Sequence, residues 1–198
     1  MDPDPDRDLV HALQTGASAA RQGALTALFE RHQRRVFNVA LRVLGDWSAA
    51  QDVAQDVFIN LERSVRSFRA DASFVSWVYR ITVNRAIDYR RREARRPASK
   101  LGDMPLAMEE SGLPGRSSRT PLDHAMNRTE AAAQVQAALD GLSPKLRAIA
   151  VLRYVEGLSY EDLADVLDCS MGTVKSRLNR AHGALAKALG TTGAGEEA

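Results

Sequence analysis

The chain has 198 residues, enough for one ordinary domain or two small ones, with 44% hydrophobic and 26% charged residues, a globular composition. No apolar run approaches the roughly 18 to 20 residues that span a bilayer, and the acidic start MDPDPDRDLV lacks the pattern of a secretion signal, so a cytoplasmic protein is expected. The single cysteine, Cys169, excludes an internal disulfide, and His11, His32, His124 and His182 lack ligand spacing, so neither a metal nor a cofactor is expected. The net charge of +2 says little by itself, but the charge is sorted along the chain. Arg80, Arg85, Arg90, Arg91, Arg92, Arg95 and Arg96 crowd one segment against only Asp88 and Glu93, and Lys175, Arg177, Arg180 and His182 form a second basic cluster. Acidic residues gather at Asp52 and Asp56 and again between Glu156 and Asp168.

The expected fold class is all-α, because no segment alternates with period two and no hairpin turn signal occurs. A first helix is expected over Asp8 to Gln14. A long second helix runs from Ala19 to Leu44, with Leu25, Leu28, Phe29, Val36, Ala40 and Val43 at three- and four-residue steps and Gly45 as its stop. Ser48 is the expected cap of the next helix, whose Ala50, Val53, Val57 and Leu61 share a face. A loop around Arg69 to Ala72 leads into a helix from Ser73 to Arg95, with Phe74, Val78, Ile81 and Ile87 inward. These helices form one small bundle over residues 8–96. Pro97, Pro105 and Pro114, with scattered glycine and serine, make 97–122 a flexible linker with a root-mean-square span of roughly 30 Å. A second small helical domain covers 123–189, followed by the polar tail GTTGAGEEA.

The second domain contains LSPKLRAIAVLRYVEGLSYEDLADVLDCSMGTVKSRLNRAHGAL. Ser143-Pro144 reads as a helix start and Gly157 as its end. Ser159 caps a short helix with Glu161 and Asp162 in its first turn, and Ser170 caps the last helix after a tight turn at Asp168 and Cys169. Two helices so joined, the second basic on its outer face, form a helix-turn-helix. The N-terminal part of such a second helix meets base edges in the major groove, which nominates Ser170, Thr173, Lys175, Ser176, Arg177 and Arg180. Cys169 reads as a small packing residue of the turn. A solvated helical hairpin without a DNA role is the plain alternative.

The strings LSYEDLADVL and GTVKSRLNRA resemble the promoter-binding domain of extracytoplasmic-function (ECF) sigma factors of bacterial RNA polymerase. AAQDVAQDVFINL and FVSWVYRITVNRAIDYRRR resemble that family's polymerase-docking helix and the helix with which it reads and opens the −10 element. The resemblance covers Asp8 to Leu189 apart from the linker. It implies that Asp52, Gln55, Asp56 and Phe58 contact core polymerase, although an ordinary solvated surface would carry the same residues. It further implies −10 contacts from Arg80, Asn84, Asp88 and Arg91, which fall on one helical face, flanked by Arg85, Arg90 and Arg92. In the family an extruded base is captured near the preceding loop, which nominates Phe68, Arg69, Asp71 and Ser73, whereas Phe74 and Trp77 read rather as core. The helix-turn-helix would then read the −35 element. The implied partners are core RNA polymerase, promoter DNA and an anti-sigma factor, with a membrane-bound inhibitor consistent with the reading; no small-molecule substrate is implied. A plain helix-turn-helix repressor lacks the dimerisation seam it would need. An enzyme lacks a phosphate loop, a nucleophile elbow and a metal site here.

Overall fold

A computed structural model describes residues 4–68, 73–95 and 121–190, without the side chains of 121–130. The linker reading over 97–120 and the candidates Arg69 and Asp71 lie outside the described residues, whereas 121–122, read as linker, are already helical because a helix starts at Pro121. Among the described residues there is no strand, and no helix is long and apolar enough to cross a membrane. The helices are α1 (Arg7–Thr15), α2 (Ser18–Leu44), α3 (Trp47–Ser64), α4 (Phe74–Glu93), α5 (Pro121–Asp140), α6 (Pro144–Ala150), α7 (Tyr160–Leu167) and α8 (Met171–Ala188). A 3₁₀ turn, Val65–Ser67, follows α3, and a π turn, Val151–Val155, continues α6.

The first four helices pack as a bundle because each buries one stripe. Leu13, Leu28, Val36, Val43, Val57, Leu61, Phe74 and Val83 are each no more than 1% exposed. Phe74 is core, as its spacing suggested, while Trp77, Ile81 and Ile87 are half-buried. Gly45 closes α2 in the left-handed conformation at φ 72°, its N–H donating to the Leu41 carbonyl at 2.7 Å. A single extended residue, Asp46, then starts α3, its carboxylate accepting from the Ala49 N–H at 2.7 Å. The cap is therefore Asp46 rather than Ser48. After the left-handed glycine one extended residue completes the reversal, so Trp47 and Ser48 are already helical.

The second domain buries Leu139, Ile149, Leu152, Leu163, Val174 and Leu178. Ser143 sits at the N-cap of α6 with Pro144 first in the helix, but its hydroxyl makes no cap bond. The π turn inserts extra residues before the chain reverses at Gly157, φ +73°. It leaves Tyr154 and Val155 exposed and Glu156 half-buried.

The two domains touch, and the contact is anchored at the end of α2. A helix C-terminus leaves backbone carbonyls without partners and carries partial negative charge. The guanidinium of Arg147, 2% exposed, donates to the Val43 carbonyl at 3.0 Å and to Asp140 at 2.6 Å. Gln136 donates to the Arg42 carbonyl at 3.4 Å. Burial and the neighbouring Arg90 charge lower the Arg147 pKa, with Asp140 opposing them. A side chain at Gly45 would be strained at its positive φ and would meet the Asp140 carboxylate at 2.9 Å. The second domain thus caps α2 of the first.

Candidate nucleic-acid interface

The turn between α7 and α8 is built locally. Ser159 and Asp162 form a reciprocal capping box at the start of α7. Asp168 adopts the left-handed conformation at φ 48°, which aspartate tolerates better than most residues. The Cys169 N–H donates to the Ala164 carbonyl at 3.1 Å, and the Ser170 hydroxyl accepts from the Thr173 N–H at 3.3 Å. Arg153 braces the approach to α7, donating to the Leu158 carbonyl at 2.6 Å and lying 5.1 Å over the Tyr160 ring. Val174, Leu178 and Ala181 hold α8 from beneath.

The candidates on α8 therefore share one outward side. Ser170, Lys175, Ser176 and Arg180 are exposed, and Thr173 and Arg177 are half-buried. Arg180 leans back on Ser176, with its Nη2 3.2 Å from the Ser176 hydroxyl. Arg177 lies against the turn, its Nη1 3.7 Å from Cys169 Sγ. Cys169 is half-buried and packs against the core, as a turn residue should.

On α4 the side chains divide differently. Arg80, Asn84, Asp88 and Arg91 are exposed and Arg85 is half-buried. Asp88 and Arg91 pair with each other at 3.1 Å. Arg80 meets Asp168 of the second domain at 3.4 Å, and Arg90 meets Asp140 at 3.4 Å. Between them Tyr79, 3% exposed, donates its hydroxyl hydrogen to the Glu156 carboxylate, which also lies 3.6 Å from Arg35. Burial first, and then that carboxylate, push the Tyr79 phenol far above its ordinary range. An open cleft of about 580 Å³ separates α4 from α7, with Phe68, Trp77 and Arg80 on one wall and Asp165, Asp168 and Cys169 on the other.

At the start of α4, Ser73 is exposed and caps the helix by accepting from the Ser76 N–H at 3.1 Å. Phe68 is half-buried, its ring 5.1 Å from Trp77 and 6.0 Å from Phe74. On α3, Asp52, Gln55 and Asp56 are exposed together. Phe58 is half-buried, with Phe29 edge-on at 4.7 Å. Phe29 is 41% exposed and adds an apolar neighbour to Phe58 that its place in the α2 stripe had consigned to the core. The cross-domain partners Arg35, Tyr79, Asp140, Arg147 and Glu156 were likewise absent from the sequence-derived site, since no local motif marks them.

Two family models match the chain: Sigma-70 region 2 over residues 28–96 and Sigma-70 region 4 over residues 132–185. The RNA polymerase sigma-H factor of Pseudomonas aeruginosa is 36% identical over 185 residues, 93% of each chain. The ECF RNA polymerase sigma-E factor of Escherichia coli is 37% identical over 183 residues, 91% of this chain and 92% of that one. Among solved structures, CnrH in complex with the cytosolic domain of CnrY is 25% identical with a TM-score of 0.66, covering 95% of this chain and 99% of that one. The sigma factor RpoE in complex with the anti-sigma factor NepR from Bartonella quintana shares the fold at 22% identity and a TM-score of 0.64, covering 85% of this chain and 98% of that one. With both regions present in order and such relatives matched along nearly their whole length, the chain belongs to the ECF sigma factors, proteins that bind core RNA polymerase and promoter DNA to initiate transcription and are not enzymes.

Proposed function

We propose that the chain divides promoter opening between two modules, residues 8–96 and 123–189, tethered by 97–122. The first docks on core polymerase through Asp52, Gln55, Asp56 and Phe58, where two carboxylates and an amide are exposed beside a half-buried aromatic on one stretch of α3. It reads the −10 element with Arg80, Asn84, Arg85, Asp88 and Arg91, the arginines holding phosphate and Asn84 meeting an exposed base edge. A base unstacked from the duplex is captured near Phe68, Arg69, Asp71 and Ser73. The second module sets α8 in the major groove of the −35 element through Ser170, Thr173, Lys175, Ser176, Arg177 and Arg180.

The observation that carries this reading is the pairing, in one chain, of an outward hydroxyl- and cation-bearing helix start with an arginine-rich helix on a separate bundle. Strand opening then draws on captured bases and needs no nucleotide hydrolysis by this chain. Its place of action is the cytoplasm, and an anti-sigma factor that holds both modules away from polymerase is its regulator.

Replacing Asp52 and Asp56 together by alanine tests the division. Core binding, followed by fluorescence anisotropy, is expected to weaken about tenfold, the equivalent of about 1.4 kcal/mol. Binding of the same variant to −35 duplex should be unchanged. A parallel loss of duplex binding would break the assignment.

A further inference from the structure

The segment ahead of the region 2 match, which begins at residue 28, touches the −10 machinery at two points. Gln14, half-buried on α1, spends both N–H groups of its amide on one target. Its Nε2 donates to the Val65 carbonyl at 2.8 Å and to the Phe68 carbonyl at 3.0 Å. Those carbonyls bracket the 3₁₀ turn that delivers Phe68. Asp4 works at the other end. Its Oδ2 accepts from the Phe74 N–H at 2.6 Å, the first orphan donor of α4, while Ser73 takes the Ser76 N–H. A carboxylate there also suits the positive end of the helix.

Asp4 is itself held in place. Its Oδ1 accepts from the Asp6 N–H at 3.0 Å, and the buried Asp6 carboxylate binds Arg31 and the His32 Nε2 of α2. The N-terminal segment therefore grips both flanks of the connection between Phe68 and Ser73, and it ties both to α2. A grip of this kind fixes the distance and direction between the two flanks, which a base-capturing site needs to be preorganised.

We infer that Gln14 and Asp4 are positioning residues for −10 base capture: they touch no base and act by fixing Phe68 and the first turn of α4. The inference rests on the assignment of base capture to the residues around this connection.

The test uses full-length chain with core polymerase on templates carrying every single-base substitution through the −10 element. Gln14→Glu keeps the side-chain length but removes both donors; Asp4→Ala removes the acceptor and Asp4→Asn keeps one. Open complexes are read by permanganate reactivity at a temperature below every variant's melting point. Gln14→Glu and Asp4→Ala should slow open-complex formation about tenfold, as loss of one or two hydrogen bonds allows. They should also compress the ratio between the best and worst −10 base, with core affinity unchanged and Asp4→Asn near the parent. A compressed ratio in Phe68→Leu with an undiminished ratio in Gln14→Glu would overturn the inference and leave base capture at this connection standing. An undiminished ratio in Phe68→Leu as well would overturn both. A lowered melting temperature with the ratio intact assigns Gln14 a purely structural role and also overturns the inference.

Discussion

The two helices proposed to face DNA, α4 and α8, sit in opposite situations. On α8 and its cap the proposed groove residues Ser170, Lys175, Ser176 and Arg180 stand exposed, with Arg180 leaning on Ser176 of the same helix. On α4 two arginines are taken by carboxylates of the other domain, Arg80 by Asp168 and Arg90 by Asp140. In the proposed −10 role, phosphates would compete with those carboxylates for the same guanidinium groups. On the proposed assignment, Arg80 and Arg90 become available to DNA once the domains part, whereas Lys175, Ser176 and Arg180 are exposed already. The ion pairs alone do not explain why they stay together. Arg80 and Asp168 have side chains 47% and 83% exposed, and such pairs contribute roughly 0–1 kcal/mol. The buried contacts, Arg147 on the α2 terminus and Tyr79 on Glu156, hold more.

The largest expected effect comes from Arg147→Leu. It uncaps the Val43 carbonyl and takes the cation from the end of α2, at a cost of about 1–3 kcal/mol for the group left unsatisfied. The domains should separate, seen as a larger radius of gyration in X-ray scattering, and Arg80 and Arg90 should become available to −10 single strand. An unchanged radius would place the hold elsewhere. Tyr79→Phe comes next. It keeps the buried ring and removes only the hydrogen bond to a charged acceptor, with an expected loss of about 1.5 kcal/mol of interdomain stability. Single-strand affinity should rise with it, while −35 duplex affinity stays constant because the Tyr79–Glu156 bond involves no α8 residue.

What the sequence made legible was local. Ser159 and Ser170 cap the helices of the DNA-binding unit as read, because a cap is decided within three or four residues. Phe74 fell in the core because a stripe at helical spacing has only one way to be buried. The single capping error, Ser48 for Asp46, is a two-residue shift set by the left-handed Gly45. What stayed hidden was long-range. Arg147 reaches a carbonyl 104 residues earlier, Tyr79 a carboxylate 77 residues later, and Gln14 two carbonyls more than 50 residues on. None of these partners leaves a periodic trace. Arg147 reads as one more exposed arginine, and Gln14 as the polar side of a short helix. The π turn that aims Glu156 at Tyr79 has no sequence signature either.

A smaller effect sharpens the contrast from the side of α8. Lys175→Ala removes one exposed cation without touching the interdomain contact. The slope of log affinity against log salt for −35 duplex should shrink by about 1, with the radius of gyration unchanged. A change in the radius would mean that α8 is coupled to the closed arrangement after all.

The smallest effect separates the two domains by acid. His32, 3% exposed in the first domain, has its pKa lowered from the ordinary 6.5, chiefly by burial. Asp6 works against that shift and Arg35 and Arg31 add to it. A base whose folded pKa lies below its unfolded one binds protons more readily when unfolded. Its stabilising contribution is therefore complete above about 6.5 and is lost as the pH falls from there towards the folded value. Mild acidification should accordingly speed amide hydrogen exchange in α2 more than in α8, once corrected for the intrinsic pH dependence of exchange. In His32→Gln, which cannot titrate, that part of the pH dependence should vanish. Equal acid sensitivity of α2 in the parent and in His32→Gln would overturn the assignment of that sensitivity to His32.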